Sequence, residues 1–246
     1  MKYLPVLLLF SLFWLGCKEQ KDDFTFENGF EYFPLEVGKY KIYQVDSVIY
    51  DPASGGISRD SSRTFIRETL IEKFSDDAGA EVFKIEHAQR TTPADPWIIT
   101  NIWTTSRDES RAYRTEENLK SVPLVFPVQA RKRWNSLVFT DPALQVEIAG
   151  EPIEIFKGWS SEIESADQAE KIGDFDFEKV TTVIHADEEN LIELRYVIEK
   201  YAKGFGLVFK EMKILDTQCI GPCEGQPWEE KAEKGFILRQ FLIESN

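Results

Sequence analysis

Between residues 40 and 243 the chain carries segments in which apolar and polar side chains alternate with a period of two, separated by turn signals about every 8–15 residues. That rhythm constrains the fold more than any other feature, because helices need a period near 3.6. The alternation predicts strands over residues 40–50, 63–74, 82–88, 97–104, 110–115, 175–185, 207–215 and 236–243. Asp76-Asp77-Ala78-Gly79 turns the second of these into the third, a hairpin signature. Residues 144–148 and 153–165 read as a further hairpin across Ala149-Gly150-Glu151-Pro152. On 97–104, Trp97, Ile99 and Trp103 share one face while Ile98 and Ile102 share the other, so that strand is expected to be sandwiched between layers. One segment is ambiguous. Leu191, Leu194, Ile198 and Tyr201 stand at helical spacing, but Tyr196, Val197 and Ile198 favour a strand, which is the reading chosen for 191–202. Around ten strands with little helix predict a mainly β fold: a single strongly curved antiparallel sheet or an open barrel. Phe126-Pro127-Val128 to Trp134 echoes Phe33-Pro34-Leu35 to Tyr40, yet the rest of the two halves does not align.

The first residues carry a different signal. Met1-Lys2 is a short basic region, and residues 4–15 are apolar except for Pro5 and Ser11. A run of about 12 residues is too short for the roughly 20 needed to span a bilayer, so it reads as a secretory signal peptide over residues 1–16. Leu15-Gly16-Cys17 resembles the lipobox of bacterial lipoproteins, with Trp14 standing where Leu is usual. That resemblance implies removal of the signal and acylation, including palmitate, of Cys17. One acyl chain holds only marginally, whereas two or three give stable attachment at about 0.8 kcal/mol per buried CH₂. Residues 17–30 then form the lipidated Cys and a solvated tether, and residues 31–246 a β-rich lipoprotein domain. Lys21-Asp22-Asp23 resembles the acidic surface-export signal of Bacteroidota lipoproteins. The implied location is the cell envelope, lipid-anchored to the outer membrane, on its periplasmic face or the cell surface.

Charge excludes some partners. Without Lys2, 28 basic residues face 43 acidic ones, a balance of −15. Such an excess disfavours nucleic acid, whose phosphates would go unneutralised, and disfavours docking on anionic lipid. Membrane contact is therefore expected through the acylated N-terminus alone. About 230 residues suffice to bury a sizeable core.

With Cys17 assigned to lipid, Cys219 and Cys223 remain, in Cys-Ile-Gly-Pro-Cys. In an oxidising compartment they read as a disulfide with Gly221-Pro222 as the turn. The alternative, a redox pair, fits less well because thioredoxin-like motifs have two intervening residues. A metal centre would need more ligands than His87 and His185 supply, and no metal or cofactor is expected.

Tyr201-Ala202-Lys203-Gly204-Phe205-Gly206-Leu207-Val208 resembles a Tyr-Ala-x-Gly-Val-Gly-Leu-Val signature of envelope lipoproteins. With Phe33-Pro34-Leu35 and Gly38 it is similar to an uncharacterised Bacteroidota envelope lipoprotein family. The pattern also resembles LolA/LolB-like half-barrels, which implies a sheet curled around a hydrophobic cavity. Gly204 and Gly206 are expected to take positive φ or form a bulge between paired strands.

No catalytic constellation emerges. Gly158-Trp-Ser-Ser-Glu162 lacks the second Gly of a nucleophile elbow, neither His has an evident Ser partner, and no phosphate-binding loop occurs. Asp174, Asp176 and Glu178 alternate with Phe175 and Phe177; calcium is one reading, a solvated outer face the preferred one. His87 and His185 are expected to be ordinary hydrogen-bonded side chains. Trp97, Trp103 and Trp134 are candidates for ligand contact, with Trp159 and Trp228 sharing the composition argument but equally suited to a core. Two function classes follow. The preferred one is a non-enzymatic envelope lipoprotein binding an apolar ligand or a protein partner; the other is an envelope hydrolase using clustered carboxylates. A buried, pKa-shifted carboxylate pair in a pocket would favour the second, an apolar cavity without one the first.

Overall fold

The structure is a computed structural model that describes residues 27–52 and 58–246. The lipobox-like segment, Cys17 and most of the tether lie outside the described residues.

Fourteen strands are present among the described residues: β1 (Tyr40–Asp51), β2 (Ser58–Ser75), β3 (Glu81–Arg90), β4 (Ile98–Arg107), β5 (Ala112–Glu116), β6 (Leu119–Ser121), β7 (Arg133–Trp134), β8 (Gln145–Ile148), β9 (Glu151–Glu154), β10 (Ser161–Ile172), β11 (Phe175–Glu189), β12 (Glu193–Ala202), β13 (Gly206–Asp216) and β14 (Lys234–Ser245). Helix among the described residues is confined to α1 (Trp228–Lys231) and a single 3₁₀ turn at Phe30–Tyr32. Twelve strands form one antiparallel sheet in the order β6-β5-β4-β3-β2-β1-β14-β13-β12-β11-β10-β7, and β8 pairs only with β9. The expected ten strands is an undercount. The additional ones are β6 and β7, of three and two residues and too short to show alternation, and the expected 153–165 strand divides between β9 and β10. The sheet is not closed, since no ladder joins β6 to β7.

Local chemistry explains two of the strand boundaries. Between β2 and β3 the Asp76 Oδ1 accepts from the Ala78 and Ala80 N–H groups at 2.9 and 2.8 Å, fixing the turn. Between β11 and β12 Asn190 does the same for Ile192 and Glu193, at 2.9 and 3.0 Å. Residues 191–202 are extended, as β12, because ladders to β11 and β13 satisfy the backbone on both sides. Both faces of β12 are buried, which erases the alternation that would identify it.

Two expectations are corrected. The 153–165 strand is interrupted: Ile153 and Glu154 belong to β9, residues 155–158 turn, and β10 begins at Ser161 in the main sheet. Nor is β4 sandwiched, for Ile98, Ile99 and Ile102 are 63, 57 and 53% exposed. The cause is register: β5 pairs only with Thr104 to Arg107, so the first half of β4 lacks a neighbour on that side.

The link between β6 and β7 ties the two ends of the sheet together. Val125 bridges to Arg111, and the Ala112 N–H donates to the Leu124 carbonyl at 2.9 Å. Further along, the Arg131 N–H donates to the Ile163 carbonyl at 2.6 Å and the Ile163 N–H to the Lys132 carbonyl at 2.9 Å. Val122, Leu124 and Phe126 pack with Ala112 of β5, Ile163 of β10, Val183 of β11 and Tyr201 of β12 in one buried cluster. Each such fully buried aliphatic side chain contributes roughly 1.5–3 kcal/mol.

Candidate ligand site

Side chains from ten strands, β1–β6 and β11–β14, line one cavity of about 850 Å³. Much of its wall is apolar, with Ile66, Leu70 and Ile85 on one side of the strand order and Met212, Phe236 and Leu238 on the other. That volume falls within the range of small-molecule sites, roughly 300–1,000 Å³.

Charged residues stand among these apolar ones. In β2 Glu68 follows Ile66 and precedes Leu70 on the same face; its registered neighbours are Lys41 in β1 and His87 in β3. Arg114 on β5 grips both Glu68 oxygens, Nη1 at 3.0 Å and Nη2 at 2.5 Å, and pairs through Nε with Glu116. Burial alone would raise the Glu68 carboxyl, but Arg114 outweighs it and the net displacement is downward. Arg114 also lies over the Trp103 ring at 5.2 Å, and that ring packs 4.1 Å from His87.

A second group centres on Glu199 of β12. Lys210 reaches its Oε1 at 3.0 Å, while His185 Nε2 stands 3.1 Å from Oε2 and the Tyr201 hydroxyl donates to the same oxygen. Burial works to raise this carboxyl; Lys210 and then His185 overcome it and hold the group well below the usual carboxylate range. On its other nitrogen His185 meets the Ser161 hydroxyl at 2.8 Å, and Ser161 donates to Ser136 at 2.7 Å.

The expectation that neither His has a Ser partner is therefore corrected: 24 residues separate Ser161 from His185 in sequence, and the β10–β11 ladder brings them together. The result is a Ser-His-Glu chain of contacts. Its hydroxyl, however, is 0% exposed and forms no part of the cavity wall, so no substrate carbonyl can approach it. Glu68 and Glu199 do line the cavity, which therefore combines apolar walls with paired carboxylates rather than matching either pure alternative. Carboxyls depressed by salt bridging are poor proton donors and weak bases near neutral pH.

The candidate residues from the sequence separate in space. Trp103 lines the cavity, as does Trp159, which stacks on His185 at 5.3 Å. Trp97 and Trp134 lie outside its lining: Trp97 is covered by Arg67 and Arg90, at 5.0 and 4.2 Å, and Trp134 donates to the Val122 carbonyl at 2.7 Å. Trp228 is buried, and its Nε1 donates to Glu189 at 2.8 Å. His87 bonds Thr100 at 2.8 Å. Asp174, Asp176 and Glu178 are exposed while Phe177 is buried, the arrangement of a solvated outer face. Cys219 and Cys223 are joined by a disulfide, their Cα atoms 5.7 Å apart. Gly204 and Gly206 take φ of +83° and +79° at the β12–β13 turn, as their sequence context implies.

Sequence reading missed Lys41, Glu68, Arg114, Glu199 and Lys210. A signal was present: each charged residue occupies an inward phase of a strand, as Glu199 does between Val197 and Tyr201, or Lys210 between Val208 and Met212.

No protein-family model matches the chain, and no curated protein matches it significantly. Two solved structures resemble it at a distance. One is a protein assigned as a lipoprotein of Parabacteroides distasonis, 9% identical, with a TM-score of 0.38. The other is a protein of Bacteroides fragilis assigned as exported and as having a YmcC-like fold, 9% identical, with a TM-score of 0.40. Each comparison covers 87% of this chain and 98% of the other. At those scores the likeness is too remote to carry a conclusion about fold or function.

Proposed function

We propose that this chain is a lipid-anchored, non-enzymatic lipoprotein of the cell envelope that holds an apolar ligand inside a strongly curved sheet. The cavity carries this reading, because its wall draws on ten strands and is built largely from aliphatic and aromatic side chains. Curvature follows from spacing. In a flat sheet β5 and β10 would stand about 40 Å apart, at roughly 4.8 Å per strand. Yet the single segment between β6 and β7 bonds to both. A sheet bent back on itself satisfies both sets of bonds, and the 122–126 segment then fills the gap between its ends.

Attachment rests on Leu15-Gly16-Cys17 and on the acidic surface of the domain, which leaves acyl chains as the membrane contact. The Cys219–Cys223 disulfide accords with an oxidising compartment. Membrane fractionation of a Cys17→Ser variant tests the anchor. The variant is expected in the soluble fraction with unchanged thermal unfolding; retention in membranes after a salt wash would contradict acylation at Cys17. The hydrolase alternative is disfavoured by the full burial of Ser161 and by carboxyls already committed to Arg114 and Lys210.

A further inference from the structure

Three half-buried cations stand on the cavity wall, Lys41, Arg114 and Lys210, beside the half-buried Glu68 and the buried Glu199. The remaining carboxylate paired with this group, Glu116, is 41% exposed and so largely screened by solvent. Arg114 is committed to Glu68, and Lys210 to Glu199. Lys41 has neither an ion pair nor a hydrogen bond among the described residues. Glu68 acts on it electrostatically, but both Glu68 oxygens are already held by Arg114.

The position of Lys41 depends on its surroundings. Its Nζ lies 2.6 Å from where a β-carbon at Gly206 would be, and Pro34 Cδ lies 3.2 Å from the same point. A side chain at 206 would displace the ammonium from this place beside the Pro34 ring. A second donor on the wall is also unmatched: the buried Trp103 Nε1–H has no acceptor among the described residues. Unpaired buried donors are uncommon in folded proteins, and this one shares the cavity wall with the unpaired Lys41 ammonium.

We propose that the cavity binds a single-chain amphiphile with an anionic oxygen head, the head received by the Lys41 ammonium and the alkyl chain lying along the Ile66, Leu70 and Leu238 wall. This rests on the apolar-ligand reading above and specifies its chemical class. Alkyl carboxylates and alkyl phosphates share the required chemistry: one negative head with free lone pairs, and a saturated tail. The contact is a charge-assisted hydrogen bond, about twice as strong as a neutral one. The same head supplies an oxygen acceptor of the kind that Trp103 lacks.

The test is a calorimetric titration of the exported Cys17→Ser chain with dodecanoate, dodecyl phosphate and dodecanol, repeated on the same chain carrying Lys41→Met. Methionine keeps most of the length and apolar stem of lysine and removes the charge. The expected result is at least tenfold tighter binding of one or both anionic compounds than of dodecanol. Lys41→Met should abolish that preference while leaving dodecanol affinity within about twofold. Whichever of carboxylate and phosphate binds more tightly identifies the source of the head. Equal affinity for acid and alcohol would overturn the role of Lys41 and leave the apolar cavity standing. Absence of binding by all three compounds would overturn the cavity reading itself. Circular dichroism of Lys41→Met guards against a folding defect, and Lys41→Arg, which keeps the charge, is expected to retain the preference if the fold tolerates it.

Discussion

The Lys41 ammonium lies 2.6 Å from the point where a side chain at Gly206 would begin. This closeness joins a backbone requirement to a feature of the cavity, because Gly206 also has a φ of +79°. Gly204, two residues earlier, has a similar φ of +83° but open space around it. Gly204→Ala should therefore cost only the left-handed backbone penalty, about 1–2 kcal/mol. Gly206→Ala should cost more, since Lys41 or Pro34 must also move. Urea denaturation of both variants measures the difference; equal losses would mean that the Lys41–Gly206 contact constrains neither partner.

Lys41 should also make stability depend on alkaline pH. Burial, opposed by Glu68 and reinforced by Arg114, brings its pKa from 10.5 down to about 8. Between those values the unfolded chain binds more protons than the folded one, so this group makes stability rise with pH across that window. Comparing the native chain with Lys41→Met cancels the tyrosines that titrate nearby. The stability difference should move in favour of the native chain between pH 8 and 10. A flat difference would place Lys41 in water.

Glu199 acts in the opposite pH range. Its carboxyl is depressed in the folded state, so its contribution is complete above the unfolded value of about 4.5 and is lost as pH falls below it. Glu199→Gln removes the charge that pairs with Lys210 and faces His185, and a broken buried pair typically costs about 3–5 kcal/mol. Thermal unfolding at pH 7 should show a loss of that order, and the gap between variant and native chain should narrow below pH 4.5. A gap unchanged between pH 7 and pH 3 would mean that shape, rather than charge, makes Glu199 necessary.

The disulfide closes only a short loop. Separating Cys219 from Cys223 by four positions limits its effect on the unfolded chain to about 2 kcal/mol. A Cys219→Ser/Cys223→Ser double variant should therefore fold, with a modestly lower denaturation midpoint. Failure to fold would give the 217–227 loop a larger role than its length implies.

The long strands were legible because their alternation survives one-sided burial: β1, β3, β11, β13 and β14 coincide closely with the expected segments. The outer end of β2, Ser58 to Ser62, was not, because it is polar on both faces and exposed. On β4 the isoleucines misled for the opposite reason: they are apolar yet stand at an unpaired stretch of strand. The candidate site was the least legible part. Glu68 and Glu199 are two of 43 acidic residues, and sequence proximity says nothing about either. They line one cavity only because registers across β1–β5 and β11–β13 place both facing the same interior. Ser161 and His185 depend likewise on a ladder containing three irregularities, which no local pattern encodes.

Native mass spectrometry of the soluble Cys17→Ser chain, expressed in and purified from its own host without detergent, bears most directly on the claim that the cavity holds a ligand. The predicted spectrum shows, beside the bare polypeptide, a species heavier by the mass of a single-chain acidic lipid, and that species disappears in the Lys41→Met variant. A bare polypeptide in every charge state, from preparations shown to be folded, would contradict it.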